Sequence, residues 1–459
     1  MKSFKYNIKY IMWVGVLSLW LCSGCKKDWL DEKPSEDIAV PSTLKDFQAI
    51  LDQPELVYNL PMVGEIGSDE HYMTDAHVTT GSEVIRNAYT WKHNNPYPSL
   101  SDWNLEYLKI ANCNIILEGL VKYPVNETTE QRKADEIRGT ALLHRARTFF
   151  DLAQIFAQPY NAATADSDVG LVIRLTADIN APISRSSVKT TYEQMISDLN
   201  AAKEMLPEKN SFKHRGSKAA VFALLARIYL VMGDYEKAGQ NANACLQLYS
   251  NLLDYNTLPS YSAALPFPIF RENEEILFHG VMIANSAVSN RAFIVKTFYD
   301  SYADNDIRQK VFFRVNADQT VNFKGSYDKS TANFTGIATD EVYLIRAECF
   351  ARQGKTTEAL NDLNFLLERR YDNTFVHYTA TTADEALGIV LAERQKELLF
   401  RGLRWSDLRR LKSDPRFAVT LTRTVAGVTY TLAPTSKEYT FPIPTEVTNF
   451  SNVSQTPGY

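Results

Sequence analysis

No catalytic motif stands in this 459-residue chain. A His-Glu-x-x-His pair, a glycine-rich phosphate loop and a Gly-x-Ser-x-Gly elbow are all missing, which removes the commonest metalloprotease, nucleotide-binding and serine-hydrolase readings. There is no basic block or stripe. Lys and Arg number 49 against 54 Asp and Glu, for a net charge of −5, so no nucleic-acid partner is expected. No long Gly/Ser-rich or Pro-rich stretch is present, which argues against two loosely tethered domains. No apolar run reaches the roughly 20 residues of a membrane-spanning helix. Cysteine is scarce, at five residues. A small disulfide-held secreted domain carries more, at regular spacings. Cys113, Cys245 and Cys349 lie in apolar, helix-like stretches and read as buried thiols. What is plentiful is aromatic: 24 Tyr and 23 Phe suit a protein that presents ring faces.

The first 24 residues form a signal peptide. Lys2, Lys5 and Lys9 precede a short apolar run that begins near Tyr10, and small residues then lead to a cysteine. The segment Leu21-Cys22-Ser23-Gly24-Cys25 resembles a bacterial lipobox, in which Cys25 becomes the lipid-bearing first residue. The alternative is an ordinary secretory signal with an incidental cysteine. The lipobox implies a palmitate-type anchor and a short charged tether over 25–40. The rest, 41–459, reads as one domain, with an N-terminal part over about 41–250 and a C-terminal part over about 251–459.

Helical periodicity dominates that domain, and it repeats. Aligned without gaps, the stretches 222–238 and 343–359 match aromatics at Phe222/Tyr343 and Tyr229/Phe350. They match alanines at Ala226/Ala347 and Ala238/Ala359, and glycines at Gly233/Gly354. The spacing resembles a tetratricopeptide repeat: the alanines let two helices approach, and the glycine ends the first helix in a left-handed conformation. A degenerate third unit starts near Arg138, with Leu142, Ala146 and Phe149 in the corresponding places and a second helix at about 191–206. A fourth spans 384–412. The fold class is therefore mainly α, a tetratricopeptide-like solenoid carrying irregular loops and a few short strands. Residues 59–104 and 250–335 read as those loops, with strand-like pieces at 275–281 and 311–315. A hairpin is expected around Ala426-Gly427. Long ordered loops on a scaffold are where binding usually happens.

The segment 393–410 carries two carboxylates one helical turn apart, Glu393 and Glu397. A glycosidase reading would make them acid and base. Carboxylates four apart on a helix, with Arg394, Arg401 and Arg404 nearby, more often form salt bridges. Trp405 with Asp407 reads as a buried anchor for the following helix, so Glu393, Arg394, Glu397, Arg404, Trp405 and Asp407 are expected to be structural. The same segment resembles the E-R-x-x-E-L-x-x-E-G-x-R-W-x-D-L-x-R box of the SusD/RagB family of surface lipoproteins. The chain ends Pro442-Ile-Pro444-Thr-Glu446 and Gln455-Thr-Pro457-Gly458-Tyr459, similar to that family's P-x-P-x-x-E and Q-N-P-G-Y. Arg401 stands where the family usually has Glu, and Thr456 where it has Asn. Trp29-Leu-Asp-Glu-Lys-Pro34 and the repeats extend the resemblance over essentially the whole chain after the signal.

That resemblance implies a non-catalytic, surface-exposed lipoprotein of the outer membrane, held by its N-terminal cysteine. It would capture a glycan and act as the lid of a SusC-like TonB-dependent transporter in nutrient uptake. RagB-type relatives imply an oligopeptide instead, and an anchored glycoside hydrolase is the third possibility. For a glycan, Trp91 and Tyr97 would be stacking platforms and Asn94 and Asn95 hydroxyl partners, in the loop before a helix at 103–120. The alternative makes Trp91 core and the asparagines a turn. Asp69, Glu70 and Tyr72 would line the same groove, and Tyr299, Tyr302 and Arg308 a second wall. No cofactor is expected. His71 and His77 read as surface residues, and Asp69, Glu70 and Asp75 lack the spacing of a calcium loop, which leaves a structural calcium ion as an open question.

Overall fold

Two glycines set the helical repeat. Gly233 (φ +75°) and Gly354 (φ +77°) adopt the left-handed conformation that L-residues avoid, and nothing crowds the position of a Cβ at either. The turn, not lack of space, requires them. At the first, the Gly233 N–H bonds back to Leu230 O at 3.1 Å and the Asp234 N–H to Tyr229 O at 3.0 Å, satisfying carbonyls the helix end would otherwise leave open.

The computed structural model describes residues 40–93, 97, 99–125, 127–288, 292–325 and 327–459. The expected signal peptide, Cys25, the expected tether through residue 39, Asn94 and Asn95 lie outside the described residues. Thr43–Tyr459 form one compact unit. Its scaffold helices are α1 (Ser101–Lys122), α2 (Thr128–Phe156), α3 (Val188–Met205), α4 (Lys218–Met232), α5 (Tyr235–Leu248), α6 (Thr339–Arg352), α7 (Thr356–Leu367), α8 (Ala383–Glu397) and α9 (Arg404–Leu411). From α1 to α7 each packs on the next, and α8 packs on α6 and α7. This is a mainly helical fold with a few short antiparallel strands, as the periodicity predicts. The repeat alanines Ala226, Ala238, Ala347 and Ala359 are all fully buried, so adjacent helices meet over methyl-sized side chains. The third unit is α2 with α3.

The fourth unit differs from expectation. α8 joins the stack, but α9 turns away to pack on the short helix Val63–Gly67 and on α4. Phe400 (φ +55°) and Gly402 (φ +72°) bend the connection, and Trp405 lies against Gly64 and Gly67, where added Cβ atoms would sit 3.0 and 2.9 Å from its ring.

α2 is buried on nearly every side from Gly139 to Phe156, the mark of a central helix. Its polar residues are bonded accordingly. Arg145 makes two hydrogen bonds to Asp198 at 2.7 and 2.8 Å, and Arg147 donates to the carbonyls of His279 and Thr335. Cys113, Cys245 and Cys349 are buried free thiols, and burial pushes the Cys113 thiol up to about 12.

The two regions read as loops are more ordered than expected. Residues 59–104 hold the helices Val63–Gly67, Asp75–Thr79 and Glu83–Thr90. The stretch 311–315 is half helix, half strand, because Ile307–Phe312 is helical and only Phe313–Val315 is extended. The two regions also meet. Strands β1 (His71–Tyr72), β2 (Phe293–Ile294), β3 (Phe313–Val315) and β4 (Val321–Phe323) form one antiparallel sheet in the order β1-β2-β4-β3, with Tyr72 opposite Phe293 and Arg314 opposite Asn322. The expected hairpin is β5 (Leu421–Val425) with β6 (Val428–Leu432). Ala426 (φ +48°) and Gly427 (φ +78°) give the two positive φ values of a tight hairpin turn.

The C-terminal tail clasps the same body. Gln455 imitates a strand partner: its side chain accepts from the Ile443 N–H at 2.6 Å and donates to Ile443 O at 2.9 Å. Thr456 accepts from Arg185 and donates to Phe441 O. Glu446 receives Ser99 and Asn104. The terminal motifs are therefore structural.

Candidate functional site

The paired carboxylates of α8 face inward, onto one guanidinium. Arg308 is wholly buried and donates to Asp306 at 2.7 and 2.9 Å, Glu393 at 2.6 Å and Glu397 at 3.1 Å. Arg370, also wholly buried, bridges Glu397 and Glu275 at 2.6 Å each and Leu253 O at 2.7 Å. The other box residues are paired as well: Arg394 with Asp407, Asp407 with Arg410, Arg401 with Asp340, and Arg404 with Asp69. The neighbouring arginines expected as partners for Glu393 and Glu397 thus go elsewhere, and residues far along the chain replace them. Against the upward push of burial, Arg308 and Lys396 hold the Glu393 carboxyl below its ordinary value. A carboxylate so held is no proton donor, and both acids are bonded to the same guanidinium.

One side of α8 carries Ile389, Ala392, Glu393 and Lys396, a three- and four-residue spacing that aligns them; Ala392 is exposed, while Glu393 and Lys396 are buried at its edge. With Asp69, the turn 295–301 and Tyr378, this face lines an open groove of about 460 Å³. The volume falls within the roughly 300–1,000 Å³ of small-molecule sites. Phe298 and Tyr378 supply ring faces; Thr297, Ser301 and Gln395 supply neutral hydrogen-bonding groups. The charges are committed: Arg404 chelates Asp69 at 2.6 and 2.7 Å and, despite burial, holds its carboxyl low, while Lys396 and Arg308 neutralise Glu393. The groove is built for an uncharged, partly apolar ligand.

Of the residues expected to touch ligand, the structure joins Asp69 to the 295–301 turn, where Tyr299 is half-buried against Phe313. Tyr72 is exposed (38%) and packs on Phe293. Several expectations are corrected. Trp91 (3% exposed) donates its indole N–H to Gly67 O at 3.0 Å, under the Arg423 guanidinium. Tyr97 (1%) bonds His93 at 3.1 Å. Neither offers a ring to a ligand, because both fill the core between the N-terminal helices and the C-terminal tail. Glu70 is buried, Tyr302 is buried with its hydroxyl on Lys396 O at 2.8 Å, and Arg308 is spent on carboxylates. His71 is not a surface residue but packs against Phe400 and Tyr89. Phe298, Tyr378 and Gln395 join the groove without a sequence signal of their own: the periodicity of α8 points only to residues on that helix, and Phe298 and Tyr378 come from separate segments.

A second groove, of about 360 Å³, opens beside β3 and β4 and is lined by Asn285, Arg314, Phe323, Lys324, Thr331 and Asn333 among others. A third space is small, about 40 Å³, and borders Asp151, Thr335, Arg401 and Trp405. It has room for a few waters and none for a sugar. Among the described residues, no group of His, Cys, Asp and Glu is placed to hold a metal ion, and no helix is long and apolar enough to cross a membrane.

Buried ionisable groups predict the response to pH. Burial holds His71, His93 and His144 neutral, with pKa values near 3. Burial raises Glu65 and Glu106 to about 7 and Glu275 to about 8. Between about 6.5 and 3 the unfolded histidines bind protons that the folded ones refuse, so they lower stability as pH falls. Between about 4.5 and 7 to 8 the folded glutamates keep protons that the unfolded ones release, so they lower stability as pH rises. Each group has a slope of about 1.4 kcal/mol per pH unit in its window. The two sets oppose one another from 4.5 to 6.5. Denaturation midpoints should therefore plateau there and fall on both sides; a midpoint still climbing from pH 6.5 to 8 would contradict this.

Comparison with known proteins completes the description. A SusD-like family model described as "starch-binding associating with outer membrane" matches residues 28–230, and the SusD family model matches residues 296–459. SusD-like protein P2 of Formosa agariphila is 23% identical over 398 residues, covering 73% of this chain and 75% of that one. A SusD superfamily protein from Bacteroides thetaiotaomicron superposes with a TM-score of 0.73 at 21% identity, over 90% of this chain and 100% of the other. A SusD-like carbohydrate binding protein from Bacteroides vulgatus gives 0.65 at 19%, over 88% and 95%. These structures share the fold.

Proposed function

The chain belongs to the SusD/RagB family of non-catalytic binding proteins, and from that premise we propose that it captures a glycan in the groove between Asp69, Phe298, Tyr378 and α8. One observation carries the reading: the groove pairs two ring faces with neutral hydrogen-bonding groups and has its charges already matched. Sugars present flat C–H faces and many hydroxyls, and this lining suits both. The starch-binding, outer-membrane description of the matched family model supports the ligand class and the location.

The finer reading follows the sequence. Residues 1–24 are removed, Cys25 carries lipid, and the short tether holds the 41–459 body at the outer membrane. There it closes as a lid over a SusC-like TonB-dependent transporter and hands over its oligosaccharide. Isothermal calorimetry of the purified protein against a panel of oligosaccharides tests the binding step. Phe298→Ala should weaken the best ligand about tenfold, the loss of one contact worth about 1.4 kcal/mol, with the denaturation midpoint little changed. Silence across the panel, or cleavage of a ligand, would overturn the reading. One observation favours an oligopeptide instead. β3 is an edge strand with Arg314 and Val315 exposed, and such an edge can accept an extended peptide. Peptides therefore belong in the same panel.

A further inference from the structure

The second groove differs from the first in charge. Arg314 projects from β3, exposed, and makes no ion pair among the described residues. Lys324, just beyond β4, donates its ammonium to the carbonyls of Lys310 (2.9 Å) and Tyr261. Those bonds fix the side chain without neutralising it. Among the described residues, no acidic side chain lines this groove. The chain as a whole has a net charge of −5, so the groove is a local inversion of sign. In the first groove every lining charge has a counter-ion. Here Arg314 and Lys324 line the groove with no ion-pair partner among the described residues.

The rest of the lining suits a saccharide. Phe323 is half-buried and braced by Phe312 and Phe400, which leaves a fixed ring at the wall. The Asn333 amide donates to Val288 O at 2.7 Å and Asn285 accepts from the Ala287 N–H at 2.8 Å, so both are held in place. Thr331 adds an exposed hydroxyl.

We propose that this groove binds the carboxylate or sulfate of an acidic sugar, with the Arg314 fork on the oxyanion and the sugar ring against Phe323. A guanidinium matches two oxygens of either group with two parallel hydrogen bonds, and charge-assisted bonds of this kind are roughly twice as strong as neutral ones. Lys324 adds a fixed positive field. The inference rests on the glycan reading above and narrows it to ligands that carry negative charge.

The test compares oligosaccharides of equal length, one neutral, one built on uronic acid and one sulfated, with an acidic peptide as the fourth arm. Each is titrated calorimetrically into the purified protein and into Arg314→Gln, an exposed substitution that leaves the core intact. The expected result is binding of at least one acidic saccharide that weakens about tenfold in the variant and weakens with added salt. Neutral affinity should be unchanged. The uronate and sulfate arms identify which oxyanion is preferred. Acidic and neutral saccharides that bind alike, with no effect of Arg314→Gln, would overturn this inference and leave the glycan reading standing. An acidic peptide that binds through Arg314 while every saccharide is silent would overturn both.

Discussion

Arg308→Ala is expected to lose about 3–5 kcal/mol of folding stability, the cost of breaking a buried ion pair from one side. The guanidinium is wholly buried and holds Asp306, Glu393 and Glu397 at once. Glu393 keeps Lys396 and Glu397 keeps Arg370, but Asp306 loses both guanidinium bonds and keeps the residue-308 backbone N–H at 3.0 Å. Three carboxylates would then face one another with less positive charge among them. Arg308→Lys should recover little, because an ammonium cannot reproduce a planar fork that reaches three acids. Urea denaturation midpoints of the two variants measure this. The outcome also separates two roles for the residue. If Arg308 touched ligand, the alanine variant would fold normally and lose affinity. A variant with an unchanged midpoint and lost binding would show that the buried network is not what holds this region.

Trp405→Ala should cost a similar amount, about 3–5 kcal/mol, as large-to-small changes of aromatic core residues do. The ring is buried, lies 5.3 Å from Tyr439 and 5.9 Å from Phe441, and is packed on its other side by Gly64 and Gly67. It therefore joins three distant segments: the short N-terminal helix Val63–Gly67, α9 and the terminal clasp. Truncation leaves a cavity that rigid backbone cannot fill. Trp405→Phe should lose much less, because the indole Nε1 has no hydrogen-bond partner among the described residues and most of the ring volume is retained. Adding a methyl from the other side, at Gly67→Ala, should cost about 1–3 kcal/mol through overpacking. Chemical denaturation followed by tryptophan-independent far-UV signal distinguishes these. A loss below about 1 kcal/mol for Trp405→Ala, against that 3–5 kcal/mol scale, would mean the three segments are joined elsewhere.

The helical scaffold was legible because its signals are local. Gly233 and Gly354 announce two turns through the backbone angle they alone accept easily. The matched alanines announce the helix pairs, since only small side chains allow that approach. The structural role of Glu393, Arg394, Glu397, Arg404, Trp405 and Asp407 was legible too, although the partners of the two glutamates were not. Arg308 and Arg370 come from elsewhere in the chain, and spacing along one helix carries no trace of them.

Which side chains remain open to a ligand is illegible in the sequence for a related reason. Trp91, Tyr97, Tyr302 and Arg308 have the side chains a glycan site needs, but composition cannot say whether a ring faces solvent or core. Burial is set by what packs on top: Arg423 of β5 over Trp91, Phe441 beside Tyr97, and the α8 carboxylates around Arg308. All are long-range contacts. By itself the sequence determined the repeat, its turns, the hairpin at Ala426-Gly427 and the family box, because each depends on residues within a few turns of one another. Only the tertiary structure decided which of the 24 tyrosines and 23 phenylalanines remain available. It also decided that segments near residues 70 and 295 share one sheet, and that Phe298 and Tyr378 line one groove with α8. Those outcomes depend on burial, and burial belongs to the whole fold rather than to any stretch of the chain.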